Sequence, residues 1–153
     1  MLAGGYDGSN YLSSCELYDS KLMQSSLIAP LNKKRSGAAA ATIDNTVYVF
    51  GGYDGSYHGD GEEYDRRTDK WTLLDQHMSV ARCDLAAATV GNAVYLLGGD
   101  LSFMNYTDVV ECYDCVTNKF TSRKPLPSAR KFIAAVGVRV SSAALARLTS
   151  SSK

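Results

Sequence analysis

Three glycine pairs, Gly4-Gly5, Gly51-Gly52 and Gly98-Gly99, recur at a spacing of 47 residues. A period of that length points to a repeat architecture, in which each unit is one supersecondary element that buries its faces only against its neighbours. Other features keep the same step. "NTVYVFGG", Asn45 to Gly52, returns as "NAVYLLGG", Asn92 to Gly99, and "RSGAAAAT" from Arg35 returns as "RCDLAAAT" from Arg82. "RKFIAAVG" from Arg130 follows with a slip of one residue. A second motif recurs between the glycine pairs. "CELYD", "GEEYD" and "VECYD" each set a glutamate (Glu16, Glu62, Glu111) two residues before a tyrosine (Tyr18, Tyr64, Tyr113). Seven residues beyond Tyr64 and Tyr113 stand Trp71 and Phe120, where the first copy has Ser25.

Each unit reads as four short strands separated by turn residues. In the central copy these are about 37–43, 46–50, 61–64 and 70–74, with a turn at Asp44-Asn45. "YDRRTDK" makes the last hairpin, and Asp65 and Asp69 are suited to capping its turn amides. No long helical period is present, and the alanine run before Thr42 is too short for a helix and ends in a turn. One small sheet cannot bury both its faces, so the units must stack. Around a common axis, the alanines at 38–41 and 86–88 suit the crowded innermost strands. Tyr48, Tyr64 and Trp71, with Tyr95, Tyr113 and Phe120 in the next copy, suit the wider part of the seams. The glycine pairs then end the second strand of each unit where a side chain would meet neighbouring backbone or where φ turns positive. The expected fold is all-β: an open, partial β-propeller of four-stranded antiparallel sheets.

Composition and motifs narrow the chemistry. Sixteen basic and 16 acidic residues cancel, which gives no general attraction to nucleic acid or to an acidic membrane. Lys33-Lys34-Arg35 reads as a solvated loop. Cys15, Cys83, Cys112 and Cys115 form no disulfide framework, and Cys112-x-x-Cys115 lacks a second ligand pair or a nearby histidine. The N-terminal stretch has no basic region leading an apolar core, and no run reaches the length of a membrane span. A soluble, cytoplasmic protein is expected. "GGYDGSYHGDG" has neither the lysine nor the following helix of a phosphate loop. Asp54, Asp60, Glu62 and Glu63 do not follow calcium-loop spacing and read as a solvated acidic rim. His58 and His77 have no nucleophile motif beside them. Glu16, Glu62 and Glu111 recur because the unit recurs, and they are expected to serve backbone amides or Arg35, Arg82 and Arg130. No catalytic residue, cofactor or metal ligand is expected, and no enzyme.

The ordered series Arg-x-x-x-Ala-Ala, Tyr-[Val/Leu]-[Phe/Leu]-Gly-Gly, Glu-x-Tyr-Asp and a later tryptophan resembles the kelch repeat over about residues 1–136. The "GGYDGS" style is similar to that of kelch-like proteins, which carry BTB and BACK domains and act as substrate adaptors for cullin-3 ubiquitin ligases. Other kelch proteins bind actin, and some kelch propellers belong to enzymes. The resemblance therefore implies a protein-interaction module for a protein or peptide partner, with an actin-binding scaffold and a piece of a kelch-containing enzyme as alternatives. It also places the ligand face on the loops after each glycine pair and on the loops entering each innermost strand. Carried over residue by residue, the partner-binding positions are Tyr6, Asn10, Arg35, Tyr53, Asp54, Tyr57, Arg82, Asp84, Asp100, Phe103, Tyr106 and Arg130. The units expected are 1–33, an incomplete repeat lacking its innermost strand; 34–80 and 81–128, full repeats; 129–140, the innermost strand of a further repeat; and 141–153, a divergent tail. So few units cannot close a ring. The expectation is a fragment of a longer protein, with two raw sheet faces open to self-association.

Overall fold

The computed structural model describes residues 1–141; the tail expected at 141–153 falls outside the described residues apart from Ser141. The strands are β1 (Leu2–Tyr6), β2 (Tyr11–Asp19), β3 (Gln24–Ile28), β4 (Ala39–Ile43), β5 (Thr46–Phe50), β6 (Gly61–Asp65), β7 (Lys70–Leu73), β8 (Ala86–Val90), β9 (Ala93–Leu97), β10 (Asp100–Ser102), β11 (Asn105–Tyr106), β12 (Val110–Asp114) and β13 (Lys119–Arg123). They form a three-stranded sheet β1-β2-β3, a four-stranded sheet β4-β5-β6-β7, a four-stranded sheet β8-β9-β12-β13, and the small hairpin β10-β11. All pairings are antiparallel. The fold is all-β, an open part of a propeller.

Register decides which side chains meet across the seams, because alternate residues of a strand point to opposite faces. Val47 pairs with Tyr64 and Tyr64 with Trp71, so these three share the face turned to the first sheet. Tyr64 and Trp71 are buried there with Cys15, Leu31 and Val49. The Trp71 indole donates to the Ala29 carbonyl at 3.0 Å, which satisfies the one polar atom the ring brings into the seam. Tyr48 and Phe50 point the other way and meet the third sheet. Phe50 lies 5.4 Å from Tyr113 and 6.1 Å from Phe120 between ring centroids, both edge-on. Val94 and Leu96 complete that second seam. Alanines let β4 lie directly against β8 along the inner edge.

Several expectations need correction. Asp65 caps its own turn, accepting from the Arg67 amide at 2.8 Å, but Asp69 does not. Asp69 adopts φ of +48° and turns its carboxylate outward to the neighbouring unit. There it accepts from the Ala29 amide at 2.9 Å and from the Tyr64 hydroxyl at 2.7 Å. The stretch after Gly99, expected as an open loop, folds as the β10-β11 hairpin, turned at Met104 with φ of +58°. Residues 129–140, expected as an innermost strand, carry no strand. The segment is tied at its start, where Phe132 N–H donates to Asp84 O at 3.0 Å, and passes Gly137 close against the Thr89 carbonyl of β8. On the far face of the first sheet the row Leu2, Glu16, Leu27 has no sheet across from it among the described residues, and Leu27 is 77% exposed.

Candidate partner-binding surface

A repeated backbone contact builds the loop face. The amide of the second glycine in each pair donates to the carbonyl of the next unit's arginine: Gly5 to Arg35 at 2.8 Å, Gly52 to Arg82 at 3.0 Å, Gly99 to Arg130 at 2.9 Å. Close approach of two main chains explains the glycines. A Cβ on Gly51 would collide with Arg82 O, one on Gly52 would stand 2.9 Å from Arg35 Cβ, and both residues have positive φ (+68° and +107°). The loop after each glycine pair is thereby laid beside the loop entering the following unit, and the two interleave into one rim.

Two of the arginines anchor this rim from beneath. Arg35 is buried; its Nε donates to Glu62 at 3.0 Å and its Nη2 to Asp60 at 2.7 Å. The same Glu62 carboxylate accepts from the Asn32 amide at 2.7 Å, which ties the first unit to the second. Arg82 is likewise buried and pairs with Glu111 at 3.0 Å, while Glu111 accepts from the Ser79 amide at 2.8 Å. Arg35 and Arg82, expected on the partner-binding rim, are therefore internal struts: guanidinium burial is tolerated because carboxylates of the third strand stand opposite. Arg130 stays exposed and donates to Ser128 of its own turn. The acidic rim expected at Asp54, Asp60, Glu62 and Glu63 is divided accordingly. Asp60 and Glu62 are buried around Arg35, Lys33 pairs with Asp60, and Asp54 is exposed. Burial works against the charge on Asp60, but hydrogen bonds and charge from Lys33 and Arg35 outweigh it and hold the carboxyl below the usual carboxylate range.

Above the struts lies a cavity of about 480 Å³ between the second and third units. Tyr53, Tyr57 and Phe103 supply its aromatic walls, Asp84, Asp100 and Lys131 its charges, and Ser36, Cys83 and Ser102 the remainder. Asp100 is buried on the floor, with Oδ2 accepting from Lys131 Nζ at 3.1 Å and from the Tyr57 hydroxyl at 3.4 Å. Its Oδ1 is buried without a partner among the described residues. Cys83 and Asp100 face each other across an isolated antiparallel bridge, with amide–carbonyl bonds of 3.1 and 2.7 Å. Burial, then the negative charges of Asp84 and Asp100, push the Cys83 thiol up to about 12. Burial and the Asp100 charge also raise Asp84, against the Cys83 hydrogen bond and Lys131. Lys131 Nζ sits 4.8 Å from the ring centroids of both Tyr106 and Phe132, a cation–π arrangement that steadies the ammonium over the cavity.

An aromatic row leads from this cavity toward the first sheet. Ring centroids run Tyr6 to Tyr11 at 5.2 Å, Tyr11 to Tyr53 at 5.4 Å and Tyr53 to Tyr57 at 4.9 Å. Phe103, at the tip of the β10-β11 hairpin, is 91% exposed. Of the expected partner-binding residues, the structure gathers Tyr53, Tyr57, Asp84, Asp100 and Phe103 at the cavity and Tyr106 beside it. Tyr6 belongs to the row, and exposed Asn10 is held in the adjacent turn by Asp7. Asp54 lies 3.3 Å from buried His58 Nε2 without hydrogen-bond geometry. A larger hollow of about 560 Å³ lies at the opposite ends of the strands, lined by turn residues such as Asp65, Arg66 and Arg67. Its charged lining is the exposed turn itself, where Arg67 pairs with Asp65 at 3.6 Å.

Sequence reasoning missed Lys131, Cys83 and Ser36, which share one signal. Each directly follows the recurring arginine, so the same place in three units carries three different chemistries. A position that varies while its neighbours repeat is where one unit is specialised.

Comparisons with known proteins agree with this architecture. A family model described as "Kelch motif" matches residues 34–76 and 81–127. Kelch repeat-containing protein kel-10 of Caenorhabditis elegans is 42% identical over 72 residues, which is 46% of this chain and 12% of that protein. A kelch repeat and BTB domain-containing protein of the same organism is 39% identical over 72 residues, with the same coverage of 46% and 12%. Human kelch-like protein 4 is 40% identical over 62 residues, 39% of this chain and 9% of that protein. The chain thus aligns with only a small part of the length of the relatives it matches. With its two four-stranded units both matched and their motif residues holding seams and rim, the chain belongs to the kelch-repeat family.

Proposed function

We propose that the loop face docks a protein or peptide partner through the aromatic-walled cavity, and that in its full protein this segment supplies substrate recognition for a cullin-3-type ubiquitin ligase adaptor in the cytoplasm. Kelch-repeat propeller domains are characteristically non-catalytic protein-interaction modules, and the chain takes that class with its family. The observation that carries the site is the continuous line of Tyr6, Tyr11, Tyr53 and Tyr57 ending in a cavity with charged groups on its floor. Aromatic side chains give large contact area at small entropy cost, and they concentrate where interfaces hold their energy. The ligase role is supported by the BTB domain in the name of one relative, a protein much longer than the aligned stretch.

The test is peptide display selected against the chain, with Tyr57→Ala and Phe103→Ala as comparison proteins. Selected peptides should lose affinity by about tenfold or more on Tyr57→Ala, the cost of truncating an interface anchor. Peptides that bind both variants as well as the parent would move the docking site elsewhere. For the ligase role, the full-length protein should co-precipitate cullin-3; actin co-sedimentation without cullin-3 would replace that role with a scaffold.

A further inference from the structure

We propose that Cys83, Asp84 and Asp100 form a three-ligand site for a thiophilic divalent cation of the zinc class, with its fourth position open to the loop-face cavity. One ligand atom from each residue lies within 4.8 Å of those from the other two. Tetrahedral zinc with sulfur and oxygen ligands needs those atoms about 3.5 Å apart, so side-chain rotations closing roughly an ångström complete the site.

The backbone already holds the three residues in place. The Cys83–Asp100 bridge fixes two ligands opposite each other. Asp84 is pinned on both sides, its amide donating to Gly37 O at 2.7 Å and its carbonyl accepting from Phe132 N–H at 3.0 Å. Main chain from the second unit, the third unit and the following segment thus converges on one point. A metal site held by backbone in this way needs little reorganisation to bind.

The floor also lacks something a cation would supply. Asp100 is 6% exposed, and its Oδ1 has no partner among the described residues. Lys131 and Tyr57 both engage the other oxygen, so the existing contacts do not answer for it. An acidic cluster tied down by a lysine would explain Oδ2 alone. Metal binding displaces the Cys83 thiol proton to solvent. The resulting thiolate and the two carboxylates then face a single ammonium, leaving two negative charges for the divalent cation to neutralise. The thiolate selects the cation: calcium and magnesium take oxygen ligands, whereas sulfur favours zinc and its neighbours.

Cobalt(II), a spectroscopic stand-in for zinc, tests this on the full chain under reducing conditions. Titration should give one equivalent of bound metal with a thiolate-to-cobalt charge-transfer band, and added zinc should abolish the band. Cys83→Ser should lose the band, while Cys115→Ser and Cys112→Ser keep it. Asp100→Asn should weaken binding by more than about tenfold, the loss that even an outer partner of a ligand brings. Because backbone and not the Asp100 side chain makes the bridge, this variant decides the matter if Cys83→Ser does not fold. Absence of the band from the parent chain, its survival in Cys83→Ser, or unchanged affinity in Asp100→Asn overturns the site.

Discussion

Arg35 and Arg82 occupy equivalent places, yet their surroundings differ by one residue. Asp60 gives Arg35 a second carboxylate, whereas the corresponding residue before Glu111 is Val109, whose carbonyl alone accepts from Arg82 Nη1 at 3.0 Å. Arg82 Nε is left buried without a partner among the described residues, and burial lowers the pKa of its guanidinium, with Glu111 only partly opposing. Removing one member of a buried ion pair strands the other, at about 3–5 kcal/mol. Arg35→Met should therefore cost more than Arg82→Met, since it takes a guanidinium bond from Asp60 and Glu62 together and leaves Lys33 as the cation at Asp60. The pair Arg82→Met with Glu111→Leu should recover most of the single loss, because apolar replacements leave no buried charge. Denaturant unfolding of the variants measures both comparisons; equal costs for the two arginine variants would mean that Asp60 does not hold Arg35. The arginines also show what a sequence leaves hidden. Their recurrence at one step before an alanine strand marked them as special. Their pairing with the recurring glutamates was expected and holds for Glu62 and Glu111, 27 and 29 residues away. What stayed hidden was that these pairs lie buried beneath the rim.

At the scale of the element, the two seams are closed by the same turn with different chemistry. In the β6-β7 hairpin Asp69 accepts from the Tyr64 hydroxyl and from Ala29 of the first unit; in the β12-β13 hairpin Asn118 accepts from the Tyr113 hydroxyl at 3.2 Å. The Ala29 amide, then the Tyr64 hydroxyl, hold the Asp69 carboxyl below its ordinary value. A group lowered on folding contributes stability that is whole above its unfolded value, about pH 4, and lost as pH falls through the lower folded value. The first seam should thus loosen in acid, and Asp69→Asn should remove that part of the pH dependence while leaving the part due to Asp60. Trp71, the single tryptophan, lies in this seam and reports it by fluorescence. Parallel acid transitions in parent and variant would show that Asp69 does not bridge the units. Strand positions within the two full units and the seam aromatics Tyr48, Tyr64, Trp71, Tyr113 and Phe120 were legible because a period of two within strands and 47 between units leaves few alternatives. Tyr95, expected beside them, pairs with Cys112 on the face opposite Tyr113 and joins neither buried cluster. The β10-β11 hairpin was not legible, since strands of three and two residues carry no periodic signal.

For the whole molecule, function follows from stacking. Interleaved loops exist only because one unit's glycine pair meets the next unit's arginine, so the cavity belongs to no single sheet. This is why its aromatic walls could be anticipated from loop positions whereas Lys131 could not: its partner Asp100 comes from the preceding unit, 31 residues earlier. The same dependence makes the seams the central claim. Two-dimensional nuclear Overhauser spectroscopy of the chain reads them directly. Phe50 ring protons should show cross-peaks to Tyr113 and Phe120, and the Trp71 indole N–H should show them to Ala29. Cross-peaks confined to partners within one sheet, such as Trp71 to Tyr64 with none to Ala29, would contradict the stacked arrangement and the cavity built on it.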